Sequence, residues 1–260
     1  MKVAVTGASG FVGRTLCAAL AGAGHERVPL ERAEAVVHLA AIAHRRASRD
    51  ELQRVNVDLA LRTAQETAGR GAAFLFLSSV KVHGEATRAP LREEAPLAPQ
   101  DPYAESKARA EDALRALAGL RLAILRPPLV YGPGVKANFL ALAQAVARGL
   151  PLPLASIRNR RSLVYVGNLA SAILDRLGRP GTFLVCDGEA PSTPQLCAEL
   201  GAALARPARL FAFPPRLLPR KLAASLEVDD AALRAAGWAP PFSRAQGLQA
   251  TADWFLRPGR

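Results

Sequence analysis

Cysteine is scarce in this chain, and so are methionine and aromatic side chains: three cysteines, one methionine, and 5% Phe, Trp and Tyr. Cys17, Cys186 and Cys197 are odd in number and show neither metal-ligand nor Cys-x-x-Cys spacing. That pattern excludes a disulfide framework and a zinc or dithiol motif, and leaves three small buried hydrophobes. Rings are too few for a platform that stacks bases. The net charge of +12 comes mostly from scattered arginines, with short groups such as Arg158-Asn159-Arg160-Arg161, so no nucleic-acid partner is expected. An anionic small substrate accounts for part of that charge. No apolar run reaches the roughly 18 residues of a membrane span. Met1-Lys2 leads straight into a strand with no leader segment, so no membrane partner is expected and the cytoplasm is the expected compartment.

What is present is apolar and ordered. Half of the 260 residues are hydrophobic, enough for one substantial core with a small satellite. Strand-like runs near 2–6, 26–30, 35–39, 73–77, 121–125 and 182–186 alternate with helical stretches near 11–22, 49–68, 102–118, 137–148, 167–177 and 193–204. This is the pattern of a parallel sheet wrapped by helices. Asp101 and Pro102 form an N-cap and first-position signal for the helix at 102. From Pro127 onward proline and glycine become frequent, as in Gly132-Pro133-Gly134 and Pro151-Leu152-Pro153, which marks departure from the sheet into a loop-rich part. The expected division is a dinucleotide-binding unit over 1–130 and 160–190 and a second lobe over 131–159 and 191–260.

Two motifs carry chemistry. Gly7, Gly10 and Gly13 follow the first strand and open the first helix. Glycine there lets backbone approach a pyrophosphate, and the helix N-terminus offers unpaired N–H groups to the anion. Tyr103 and Lys107 stand four residues apart on one helical face. A tyrosine with a pKa of about 10 is a poor base near neutrality. A neighbouring ammonium and an oxidised nicotinamide both favour its phenolate.

Thr6-Gly7-Ala8-Ser9-Gly10-Phe11-Val12-Gly13, with Tyr103 and Lys107, resembles the extended short-chain dehydrogenase/reductase superfamily, above all its NAD-dependent nucleotide-sugar epimerase/dehydratase family. The resemblance continues through Val37-His38-Leu39-Ala40-Ala41, Asn56-Val57-Asp58, Phe76-Leu77-Ser78-Ser79, Arg126-Pro127-Pro128-Leu129-Val130-Tyr131-Gly132 and Arg161-Ser162-Leu163-Val164-Tyr165-Val166. It implies an α/β fold, a Rossmann-type doubly wound parallel sheet with a small, discontinuous C-terminal substrate lobe. The implied cofactor is NAD, with NADP left open. Gly7, Ser9, Gly10, Phe11, Val12 and Gly13 would cradle it, and Leu39, Ala40, Ala41 and Pro127 would line its site. Ser79, Tyr103 and Lys107 become the catalytic set, with Ser79 bridging substrate oxygen and Tyr103, and Lys107 also holding the nicotinamide ribose. The implied substrate is a UDP-sugar, with Ser79, Lys81, His83, Asn138 and Arg161 as contacts. Arg220 and Lys221 are weaker candidates.

Glu31, 18 residues beyond Gly13, falls where the family carries the acid that grips the adenosine ribose and favours NAD. Arg32 beside it would act the opposite way. Only Arg32-Ala33-Glu34-Ala35 then separate this strand from the next, where the family inserts a helix and a further strand. The sheet is therefore expected to lack one strand and leave the second at an edge, where Pro29 is tolerated. Val80-Lys81 stands where the family's dehydratases carry an Asp-Glu pair, which argues against dehydration. The resemblance leaves a 4-epimerase or 4-ketoreductase acting on N-acetylated hexoses for surface polysaccharide, with a weakly active cofactor sensor as the alternative. It also implies a homodimer through the tyrosine-bearing helix, to which Ala110, Ala113, Leu114 and Leu117 could contribute, although these positions serve equally as core.

Overall fold

The computed structural model describes residues 1–43 and 47–257. Six strands form one parallel sheet: β1 Lys2–Thr6, β2 Glu26–Arg27, β3 Ala35–His38, β4 Ala73–Leu77, β5 Arg121–Arg126 and, after two short strands β6 Leu129–Tyr131 and β7 Leu163–Tyr165, β8 Gly181–Leu184. Their spatial order is β2-β1-β3-β4-β5-β8. The register pairs Thr6 with His38, His38 with Phe76, and Leu77 with Leu125. β2 is an edge strand, as expected, but it ends at Arg27 and not near residue 30. Val28 still donates to the Val3 carbonyl at 3.1 Å. Pro29 has no N–H to continue the ladder, and Leu30–Arg32 turns into a 3₁₀ helix instead.

Helices cover both faces. They are α1 Phe11–Gly22, α2 Arg49–Leu52 running through a π-helical Gln53–Asp58 into α3 Leu59–Ala68, α4 Pro102–Arg115, α5 Ala137–Ala147, α6 Val166–Arg176, α7 Thr193–Ala203, α8 Arg220–Ala223, α9 Ala231–Ala235 and α10 Arg244–Leu256. Strand alternation sends Val3, Val37, Leu75 and Leu125 to one face, where Leu16 and Leu20 of α1 and Leu169 and Ile173 of α6 pack. Ala4, Val36, Phe74, Phe76 and Ile124 face the other way, against Ala60 and Ala64 of α3 and Ala110 and Leu114 of α4. Burial of each larger side chain contributes about 1.5–3 kcal/mol. Ala110 and Leu114, weighed above as dimer positions, are core residues.

The loop-rich part departs from expectation in one respect. Residues near 162–165 do not rejoin the main sheet; Leu163–Tyr165 pairs with Leu129–Tyr131 in a separate two-stranded parallel sheet. Only β8 returns to the main one. A third core gathers Tyr131, Phe139, Leu163, Leu200 and Leu248 from that small sheet and from α5, α7 and α10. Leu233 and Trp238, late in the chain, instead join the main core beside α6.

One topological feature positions the candidate site. From β1 the chain lays β2 on one side and then β3 on the other. The carboxyl ends of β1 and β3 flank the point where strand order reverses, which is where open α/β sheets take ligands.

Candidate active site

At that switch point the backbone is tightly packed. Gly7 has φ +71°, and a Cβ there would lie 2.9 Å from Ala40 N, across the crevice at the end of β3. A Cβ on Gly13 would sit 2.2 Å from the Gly7 carbonyl. Thr6 Oγ1 accepts from Ala40 N at 3.2 Å, and Leu39 N donates to the Thr6 carbonyl, joining the two strand ends. Gly10 caps α1 without any side-chain hydrogen bond, whereas Ser48, Asp101, Ser192 and Ser243 each cap their helices with a side chain. The first N–H groups of α1 therefore point outward from a cradle shaped by glycine, and it fits a dinucleotide pyrophosphate. Phe11 and Val12 turn inward to the third and first cores, and the Ser9 carbonyl takes Arg14 Nη1 at 2.8 Å. The Pro127 carbonyl accepts from Val80 N at 3.0 Å. Glu31 and Arg32 are exposed on the 3₁₀ turn after β2.

Ser79, Tyr103 and Lys107 come together at the carboxyl end of β4. Ser79 follows that strand, and its hydroxyl acts on the Tyr103 phenol to favour the phenolate. Its Oγ also accepts from Lys81 N at 3.2 Å. Lys107 lies one turn beyond Tyr103 on α4, fully buried, with Nζ donating to the Leu77 carbonyl at 2.8 Å and 4.5 Å from the centre of the Phe76 ring. Burial pulls its pKa down to about 7 against the field of Glu111. Burial pushes Tyr103 up to about 12; the Ser79 hydroxyl opposes this and the Asp101 charge adds to it. The tyrosine thus needs positive charge beside it before it can act as a base near neutrality.

Compared with known proteins, residues 27–183 match the NAD dependent epimerase/dehydratase family. The chain belongs to that family. It is 36% identical over 259 residues to the UDP-glucose 4-epimerase of Vibrio cholerae, a match spanning 88% of this chain and 79% of the relative. Among solved structures, RMD from Pseudomonas aeruginosa complexed with NADPH is similar at 26% identity and TM-score 0.83, covering 99% of this chain and 100% of that one. The Thermus thermophilus UDP-glucose 4-epimerase complexed with NAD is similar at 25% identity and TM-score 0.82, covering 98% and 99%. The parallel sheet and the glycine cradle are those of an NAD-dependent enzyme of the short-chain dehydrogenase/reductase type.

Within this epimerase/dehydratase framework the expected substrate residues separate. Lys81 stands two residues beyond Ser79, with Nζ 2.7 Å from Asp101 Oδ2 and 3.2 Å from Glu85 Oε1. Burial disfavours its charge, but those two carboxylates outweigh burial and raise its pKa. Asn138 is exposed on the first turn of α5. Arg161 Nη1 donates to the carbonyls of Lys221, at 3.0 Å, and Ala224, at 2.9 Å, binding the α8 region to the small sheet. Lys221 reaches Glu85 at 2.8 Å. The Arg220 side chain lies outside what the structure describes. His83, expected at the substrate, is instead buried, and both ring nitrogens are engaged. Arg126 must be the donor to Nε2 at 2.9 Å, so Nδ1 carries the proton and donates to the Pro96 carbonyl at 3.2 Å. Burial and then the Arg126 charge lower its pKa.

Sequence reasoning missed the groups under the site. Glu111, one turn beyond Lys107, is fully buried between Ser78 and Arg126, and its four-residue spacing was the available signal. Asn56 sits in the π-helical turn, accepts from Ile42 N at 2.8 Å and donates to Ser106 Oγ at 2.9 Å on α4. His38, under the end of β3, is fully buried between Phe74 and Phe76, with neither ring nitrogen hydrogen-bonded.

Proposed function

We propose that this protein catalyses nicotinamide-dependent oxidoreduction at C4 of a UDP-sugar. The observation that carries the reading is that Tyr103 and Lys107, one turn apart on α4, meet the end of β4 at Leu77–Ser79, beside the cradle of Gly7, Gly10 and Gly13. Tyr103 exchanges a proton with the C4 oxygen, and Ser79 bridges that oxygen and the phenol. Lys107, when protonated, lowers the cost of the phenolate and holds the nicotinamide ribose. Bound NAD or NADP supplies the hydride acceptor and donor. In this reading residues 131–159 and 191–260 are the substrate lobe, Asn138 and Arg161 are the diphosphate contacts and Lys81 is a sugar contact. A fork-shaped guanidinium suits phosphate oxygens.

The relative from Vibrio cholerae, a UDP-glucose 4-epimerase, supports the 4-epimerase reading, and Val80-Lys81 in place of an Asp-Glu pair speaks against dehydration. N-acetylated UDP-hexoses for surface polysaccharide are the substrates we favour, and a cytoplasmic homodimer is the assembly. A 4-ketoreductase is the second reading. It is favoured by the two-residue edge strand β2 and by exposed Glu31, which leave the adenosine side of the cradle open for exchange.

Denaturing the purified protein and identifying any released nucleotide, then following UDP-glucose and UDP-N-acetylglucosamine by NMR, tests the proposal. Stoichiometric NAD with interconversion of C4 epimers supports the epimerase. An empty protein that reduces a 4-keto sugar with added NADH or NADPH supports the reductase. No conversion of any UDP-sugar under either condition overturns both.

A further inference from the structure

Three consecutive residues at the end of β4, Leu77–Ser79, face three side chains of α4 that follow one another by one turn. The Ser79 hydroxyl acts on the Tyr103 phenol. The Leu77 carbonyl holds Lys107. Between them Ser78 Oγ donates to Glu111 Oε1 at 2.5 Å. Positions 103, 107 and 111 share one helical face. The first two are the reacting pair proposed above, and the third has no part in that chemistry.

Glu111 is nevertheless held by more cations than any other buried carboxylate among the described residues. Arg126 on β5 forks onto it, Nε to Oε1 at 3.0 Å and Nη2 to Oε2 at 2.5 Å. Arg115 Nη2 reaches Oε2 at 3.0 Å from the half-exposed end of the helix. Arg126 is fixed in turn by His83 and by the Glu93 carbonyl at 3.1 Å. Fastening a helix with a buried ion pair is costly, since apolar residues of equal volume do it as well or better. The charge itself therefore calls for a role.

We propose that Glu111 is a positioning residue: its carboxylate, clamped by Ser78 and Arg126, sets a fixed negative charge one turn from Lys107 and fixes α4 in register with Leu77–Ser79. This rests on the reading of Tyr103 and Lys107 as the reacting pair. Glu111 supplies the charge that opposes the effect of burial on Lys107. The other ionisable groups packed around α4 are otherwise engaged. His38 from β3 is neutral, with its pKa lowered to about 3. Arg126 is turned onto Glu111. Lys81 pairs with Asp101 at the start of the helix, Arg49 of α2 pairs with Glu105 on its outer side, and Asp58 of the π-helical turn accepts from Gln53.

The chain has five lysines, Lys2, Lys81, Lys107, Lys136 and Lys221, so NMR of protein labelled at the lysine ε-carbon resolves them, and Lys107→Arg assigns the signal. In the full chain without added nucleotide, Glu111→Gln is expected to move the Lys107 titration below its original midpoint. Arg115→Gln strips one cation from Glu111 and is expected to move it above. In turnover, Glu111→Gln is expected to draw the alkaline limb of kcat to lower pH, with KM changed by less than about threefold, and Glu111→Asp to restore part of that limb. Lys107 titrating at its original midpoint in both variants overturns the proposal. If Glu111→Gln does not fold, an unmoved Lys107 in Arg115→Gln overturns it alone. The titration needs no turnover, so a protein inactive on UDP-sugars refutes the proposed function while this measurement still decides the role of Glu111.

Discussion

Asp101 serves two partners at once: one carboxylate oxygen accepts from Ala104 N at 2.8 Å, capping the helix that carries Tyr103, and the other pairs with Lys81 Nζ at 2.7 Å. The cap of the helix that carries Tyr103 and a candidate substrate contact are thus one electrostatic unit. Burial works against the Asp101 charge, but Lys81 and the Ala104 amide outweigh it and lower its pKa.

Asp101→Asn keeps an oxygen for the cap and loses the charge, while Asp101→Ala loses both. Thermal melts should show the alanine variant destabilised by about 1 kcal/mol and the asparagine variant by little. The Tyr103 titration, followed by ultraviolet difference spectra with Tyr103→Phe as the assignment control, should move down from about 12 in the asparagine variant, because the Asp101 charge raises it. An unchanged Tyr103 midpoint there would contradict the electrostatic link.

Gly7→Ala places a methyl 2.9 Å from Ala40 N at φ +71°, and Gly13→Ala places one 2.2 Å from the Gly7 carbonyl. The left-handed conformation alone costs about 1–2 kcal/mol at Gly7. Calorimetric titration with NAD and NADP should show affinity reduced by at least about tenfold in both variants, since 1.4 kcal/mol of misfit gives that factor. Gly22→Ala is the control: nothing lies within 4 Å of its added Cβ, and stability should rise by about 0.5–1 kcal/mol with binding unaltered. Native-like nucleotide affinity in Gly13→Ala would show that the cradle does not hold the pyrophosphate.

Tyr103→Phe keeps the ring and removes the proton carrier. Turnover should fall by about 10²–10⁴, the usual worth of positioned acid–base catalysis, while nucleotide affinity stays near that of the unsubstituted protein. Equal turnover in the two proteins would remove Tyr103 from the chemistry.

His38 makes stability depend on acid. Burial and then the Lys107 charge lower its pKa to about 3, so between that value and an unfolded value of about 6.5 the unfolded chain binds a proton that the folded chain refuses. Stability therefore rises with pH across this window and is lost as pH falls from 6.5, by up to about 1.4 kcal/mol per pH unit from this one group. Urea denaturation at pH 7 and pH 5 should show the difference, and His38→Phe, apolar in a slot between Phe74 and Phe76, should shrink it. A pH 5 deficit of equal size in the variant would assign the effect elsewhere.

Signals readable in the amino-acid order were those whose partners lie within a few residues. The glycine spacing at 7, 10 and 13, the Asp101-Pro102 cap, the Tyr103–Lys107 spacing and the strand and helix periodicities all fall in this class, because turn geometry and helical pitch are local. The shortened β2–β3 connection was legible for the same reason, since so few residues hold no crossover helix. Tertiary structure alone decided the rest. Leu129–Tyr131 pairs with Leu163–Tyr165 across more than thirty residues, and no local pattern marks which apolar triplets meet. His83 reads as a loop histidine beside the substrate until Arg126, 43 residues away, takes its ring inward. Ser78, Glu111 and Arg126 are ordinary residues in three separate elements. They become a buried charge cluster under Lys107 because the sheet brings β4 and β5 side by side beneath α4, and only in that dry setting does an ion pair carry a strong enough field to matter.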